Sequence, residues 1–217
     1  MSRALFPLSL VALSLFALVP PATANTLELT PCRINAGPSY PSIKARCGTM
    51  QRPLDPNDPD SSSIELRVAV VAALNLTPQP DPVVPLAGGP GQGAVQFYAA
   101  YASAFEALRR DRDILLVDQR GTGDSSRMTC PFDEELVEGK YSVDITLEAT
   151  EDCLQQLPHD PRFFTTSVAV KDLEAVRAAL DYPALNLYGI SYGTRVAQHF
   201  ARRYPDVTRS IVLDGVV

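Results

Sequence analysis

Two hydrophobic rhythms alternate along most of the chain. "SSIELRVAVVAAL" (62–74) sets Ile64, Leu66, Val68 and Val70 against Glu65 and Arg67, the period of two expected of a strand. "GTMQRPLD" (48–55) predicts a partner strand, and "PNDPDSSS" (56–63), rich in Pro, Asn and Asp, predicts the turn that joins them. Short apolar runs follow in "PVVPLA" (82–87), "DILLVD" (113–118), "ALNLY" (184–188) and "SIVLD" (210–214), as in strands buried on both faces. Between them, "AVQFYAAYASAFEALRR" (94–110), "SVAVKDLEAVRAAL" (167–180) and "YGTRVAQHFARRY" (192–204) read as helices. In the second, Ala169, Leu173, Val176 and Leu180 fall four, three and four apart, on one face. The Pro-rich stretch before residue 48 predicts irregular structure. Residues 127–165 do so too, apart from one helix in "TLEATEDCLQQL" (146–157). Strands alternating with helices predict an α/β fold: a mostly parallel sheet with helices on both faces.

The N-terminus follows neither rhythm. Arg3, an apolar run from Ala4 to Val19, a Pro-Pro break and Ala22-Thr23-Ala24 predict a secretory leader, residues 1–24, cleaved after Ala24. About sixteen apolar residues fall short of the roughly twenty that span a bilayer, so no stable membrane anchor is expected. Residues 25–217 then form one domain large enough for a real core. The net charge is −6, becoming −7 without the leader, and no cluster of Lys and Arg offers a phosphate-binding stripe. That balance argues against nucleic acid as a partner. The pairs Arg109-Arg110 and Arg202-Arg203 read as solvated partners of helix C-terminal dipoles. Four cysteines, Cys32, Cys47, Cys130 and Cys153, suit an exported chain that keeps disulfides. Three pairings are open; sequence proximity favours Cys32 with Cys47 and Cys130 with Cys153. No C-x-x-C pair or histidine cluster suggests a metal.

Candidate chemistry begins at "GISYG" (189–193), between a predicted strand and a predicted helix. In a G-x-S-x-G elbow the serine occupies a strained strand-to-helix turn, and small flanking residues let backbones approach closely. The plainer alternative is an ordinary turn with an N-cap serine. "LAGGPGQGA" (86–94) has two readings. Gly89-x-Gly91-x-x-Ala94, with Asp118 ending the next strand, matches a dinucleotide fingerprint and its ribose-binding acid. As an oxyanion loop, the same stretch supplies a backbone N–H beside the serine, so one hypothesis accounts for both glycine-rich turns. In "DQRGTGDS" (118–125), Asp118 and Arg120 read as a local ion pair within a glycine-built turn.

"AGGPGQG", "DQRGTGDS", "GISYGTRVA" and "IVLDGVV", in this order and at these spacings, resemble the α/β-hydrolases of the proline iminopeptidase and tripeptidyl aminopeptidase group. The resemblance runs from about Cys47 to Val217 and implies an exported serine hydrolase, secreted or periplasmic, that acts on peptide N-termini. It implies no cofactor. Ser191 matches the family nucleophile, and Gly89 and Tyr192 match the oxyanion backbone donors. The family motif often opens with His; Ala87 stands here, which matters little to a loop acting through its backbone.

A serine also needs a base, and the base an orienting acid. In this fold the order is Ser, acid, His. His159 precedes Ser191, and His199 follows it by eight residues on one helix, about 12 Å along the axis. Neither histidine fits. Asp214 ends the strand where some lipases of this fold carry the acid and remains a candidate, whereas the resemblance implies an acid after a further strand. The chain is therefore expected to be incomplete at its C-terminal end and inactive by itself. Alternatives are an esterase or lipase taking small esters, a catalytically silent module of the same fold, and an NAD(P)-binding oxidoreductase.

Overall fold

The computed structural model describes residues 27–130, 139 and 142–217; the expected leader lies outside the described residues. Seven strands form one sheet: β1 (Thr30–Ile34), β2 (Ile43–Pro53), β3 (Ser63–Val71), β4 (Gln79–Leu86), β5 (Arg112–Val117), β6 (Leu185–Ile190) and β7 (Thr208–Asp214). Their spatial order is β1-β2-β3-β5-β4-β6-β7. The first three strands and β5 pair antiparallel, and β5, β4, β6 and β7 run parallel. Among the described residues the helices are α1 (Ala94–Tyr101), α2 (Glu106–Arg109), α3 (Val143–Gln156), α4 (Thr166–Ala179) and α5 (Tyr192–Arg203).

The short apolar runs are strands because the sheet is buried on both faces. In β5, Leu115 and Val117 join the core beneath α4 and α5, while Ile114 and Leu116 join the core beneath α1. The face predicted for 167–180 is the buried one: Ala169, Leu173 and Val176 are inaccessible, and Leu180 packs at the edge. β7 closes the described sheet as an edge, with Ile211 and Val212 exposed. No described helix is long and apolar enough to cross a membrane.

Three expectations change. The Pro-rich stretch before residue 48 holds β1, and β2 starts at Ile43 rather than Gly48. Pro31 hid this strand, since proline is tolerated at a sheet edge, where one side of the strand needs no ladder bonds. The helix expected over 94–110 is α1, a tighter turn at Ala102–Phe105, and α2; that turn carries Phe105 into the core against Phe97 and Tyr98. Finally, α3 buries none of its residues, so its length comes from local propensity and its tether, not from packing.

Cys32 pairs with Cys47 across the β1–β2 ladder, and Cys130 pairs with Cys153 of α3, with Cα atoms 5.8 and 5.5 Å apart. The second bridge fastens the 127–165 excursion, as proximity suggested.

Candidate active site

β6 ends at Ile190 and α5 starts at Tyr192, so Ser191 alone makes the turn. Its φ of 52° is positive, a conformation costing a non-glycine residue on the order of 1–3 kcal/mol unless its surroundings impose it. They do so by crowding. A methyl group on Gly189 would collide with the Gly193 carbonyl, and one on Gly193 with the Leu86 carbonyl. The Ser191 N–H donates to the Asp214 carbonyl at 2.9 Å, which pins the turn to the end of β7. Both the N–H and the hydroxyl of Thr194 donate to the Ser191 carbonyl, at 2.8 and 2.7 Å. The elbow is thus held from three sides, while the Ser191 hydroxyl has no hydrogen-bond partner among the described residues.

That hydroxyl opens onto a cleft of about 410 Å³, lined by Gly88, Gly89 and Ser191 and walled by Phe97, Phe105 and Tyr188. Gly88 lies against the serine: a methyl there would sit 3.1 Å from Ser191 Cβ. Gly89, with φ of 106°, faces the same cleft. Its N–H has no acceptor among the described residues, and the N–H of Tyr192, first in α5, has none within its own helix. The Tyr192 side chain turns elsewhere, its hydroxyl 2.6 Å from Thr166 Oγ1.

Asp214 ends β7 beside the elbow, but its exposed carboxylate accepts from the Tyr188 hydroxyl at 2.6 Å rather than from an imidazole. That hydrogen bond, with partial burial and the charge of Asp214 adding to it, pushes the Tyr188 phenol above its ordinary range. Neither histidine lines the cleft. His159 stacks on Phe164, ring centres 6.0 Å apart. His199 lies in a hollow with Arg195, Arg202, Ile211 and Val217, and partial burial together with Arg202, Arg203 and Arg195 holds its imidazole below the usual value.

The local pair expected of Asp118 and Arg120 does not form. The two side chains take separate partners instead. Arg120 is buried and grips Asp172 of α4 through Nε (2.7 Å) and Nη2 (2.9 Å). Asp118, only 2% exposed, accepts from the N–H groups of Val95 and Asp124, each at 3.0 Å. Burial pushes its carboxyl above the ordinary value, and the two N–H bonds oppose that rise. Being buried as well as held by both N–H groups, it does not reach a ribose as the dinucleotide reading requires. Residues missed in the sequence are Thr194, which locks the elbow, and the aromatic walls Phe97, Phe105 and Tyr188. The aromatic spacing of "FYAAYASAF" was the visible signal for Phe97 and Phe105.

A mixed sheet with a parallel half, a serine on a strand-to-helix elbow and a glycine-rich loop against it are the parts of the α/β-hydrolase fold. The chain belongs to that family, whose model matches residues 81–216. It is 28% identical over 225 residues to serine protease Hip1 of Mycobacterium tuberculosis, covering 91% of this chain and 41% of that protein. The tripeptidyl aminopeptidase of Streptomyces coelicolor is 27% identical over 193 residues, 79% of this chain and 35% of that one. The solved structure of a proline iminopeptidase-related protein of Thermus thermophilus aligns at 22% identity and a TM-score of 0.49, over 79% of this chain and 44% of its own. The chain thus spans about two-fifths of the length of the curated relatives it matches. Membership of this family replaces the oxidoreductase alternative.

Proposed function

We propose that the chain carries the nucleophile half of an exported serine peptidase that cleaves peptides from their N-terminus through an acyl-enzyme on Ser191. The strained Ser191 elbow, open to a cleft and held by Gly189, Gly193 and Thr194, is the observation that carries this reading. Ser191 Oγ attacks the scissile carbonyl carbon and its proton passes to a base. The Gly89 and Tyr192 N–H groups hold the oxyanion, the amine leaves with the proton, and water hydrolyses the ester. Peptide substrates follow from the names of the relatives, a serine protease and a tripeptidyl aminopeptidase. Neither described histidine lines the cleft, so this reading takes its base from outside the described residues, and Asp214 serves as the acid only if an imidazole displaces Tyr188. Export rests on the 1–24 leader and the two disulfides, with 25–217 as the folded unit.

The test compares the polypeptide 25–217, its Ser191→Ala variant and the natural gene product, using aminoacyl arylamides, short-chain aryl esters and a fluorophosphonate probe. The natural product should cleave arylamides and be labelled at Ser191. Residues 25–217 should be slower by several orders of magnitude, because loss of triad function costs that much. Turnover of esters alone would favour the esterase reading. A natural product with no Ser191-dependent turnover or labelling would favour a silent module.

A further inference from the structure

The geometry points to Asp118 as the positioning residue of the oxyanion loop, a role that rests on the proposed reading of Ser191. Helix α1 begins directly after this loop, and its N-cap position is Gly93, which has no side chain to bond the first turn. Orphan N–H groups there need an acceptor, and a carboxylate is the best one because the helix dipole adds its attraction. Asp118 provides it from the end of β5, 23 residues away, through Oδ1 to the Val95 N–H.

Asp118 can do this because it is itself fixed. Its N–H donates to the Arg67 carbonyl of β3 at 3.1 Å. Its carbonyl accepts from the Ser125 hydroxyl at 2.7 Å, and that same hydroxyl accepts from the Arg67 N–H at 2.7 Å. The second carboxylate oxygen holds the Asp124 N–H. The fit is tight: a methyl on Gly93 would lie 2.9 Å from Oδ1. A rigid path therefore runs from the central sheet through Asp118 to Val95. Gly88 and Gly89 sit at the other end of the short segment that Val95 anchors, against Ser191. Without the tie, the start of α1 loses the carboxylate that holds its first turn to the chain leaving β5, and the Gly89 N–H drifts from where an oxyanion forms.

Two variants attack the contact from opposite sides. Asp118→Asn keeps the shape but removes the charge and sets an amide NH2 against one of the two N–H groups. Gly93→Ala presses on Oδ1, and equally on the Gly123 backbone that Asp118 holds, at a residue whose φ of −72° accommodates alanine. Outright loss of an oxyanion donor costs about 10²–10³ in kcat, so a displaced donor should cost about 10- to 100-fold. In the natural gene product we expect that fall in kcat with KM within about threefold, since the donor acts on the transition state. The rate of Ser191 phosphonylation should fall in step, and amide exchange should speed up in residues 87–95 while the core strands are unchanged. Exchange is read on residues 25–217 as well and needs no turnover. Unchanged kcat and unchanged 87–95 exchange in whichever variant folds would overturn the inference, as would a loss confined to KM. If the wild type is neither labelled at Ser191 nor active, the Ser191 reading has failed, and the exchange result still decides whether Asp118 holds the loop.

Discussion

Replacing Asp172 with Asn should weaken the fold by several kcal/mol, although the residue takes no part in the Ser191 cleft. Its carboxylate, 3% exposed, faces an Arg120 side chain that is 1% exposed. Arg120 gives it two bonds and donates its remaining hydrogens to the carbonyls of Leu54 (2.9 Å), Phe163 (3.0 Å) and Pro53 (3.4 Å). Arg52 adds a bond of 3.2 Å to the same carboxylate. Three distant segments, the end of β2, the loop before α4 and the turn after β5, thus meet on one buried cation. Removing one partner of such a pair costs about 3–5 kcal/mol because the other charge stays buried without compensation. Asn preserves shape and one acceptor, so the lower figure, about 3 kcal/mol, is expected. With a urea dependence of about 2 kcal/mol/M, the midpoint should fall by about 1.5 M. Urea unfolding followed by far-UV circular dichroism measures this for wild type, Asp172→Asn, Arg120→Met and the double variant. The double variant leaves no uncompensated buried cation at position 120, so it should be less destabilised than the sum of the singles by at least about 1 kcal/mol. A midpoint within about 0.3 M of wild type for Asp172→Asn, or a coupling below about 0.5 kcal/mol, would refute the reasoning.

Gly193→Ala should yield little soluble folded protein, since the added methyl meets the Leu86 carbonyl; recovery of protein with wild-type circular dichroism would show that the elbow relaxes. The Tyr188 phenol is raised by its bond to Asp214, so the protonated form is favoured in the fold. That contribution is intact below the ordinary tyrosine value, about 10, and is lost as pH rises through the folded value; Asp214→Asn should therefore move one tyrosine to earlier ionisation at 295 nm. Deleting the Cys32–Cys47 bridge by Cys32→Ser with Cys47→Ser should cost about 3 kcal/mol in urea unfolding, as its sequence separation is 15. N-terminal sequencing of exported protein should begin at Asn25, and a retained Arg3 would remove the leader from the account.

Much of this molecule was set by short-range pattern. Alternation in 62–74, apolar runs of five or six residues, and the 4-3-4 spacing of Ala169, Leu173, Val176 and Leu180 each name an element, because period and burial are local properties of a chain. "GISYG" likewise names its elbow, since the need for a small residue at 189 arises within the turn, although the need at 193 is imposed by the Leu86 carbonyl of β4. Proximity along the chain was enough to match the four cysteines. Tertiary structure alone decided the rest. β1 became a strand because β2 offered it an edge, not because "TPCRI" favours one. Asp118 and Arg120, two residues apart, took partners at Val95 and Asp172, since buried charges pair with whatever the folded path brings within reach. The cleft has the same origin: Phe97 and Tyr188 are 91 residues apart, and only the crossover that sets β6 beside β4 makes them two walls around one serine.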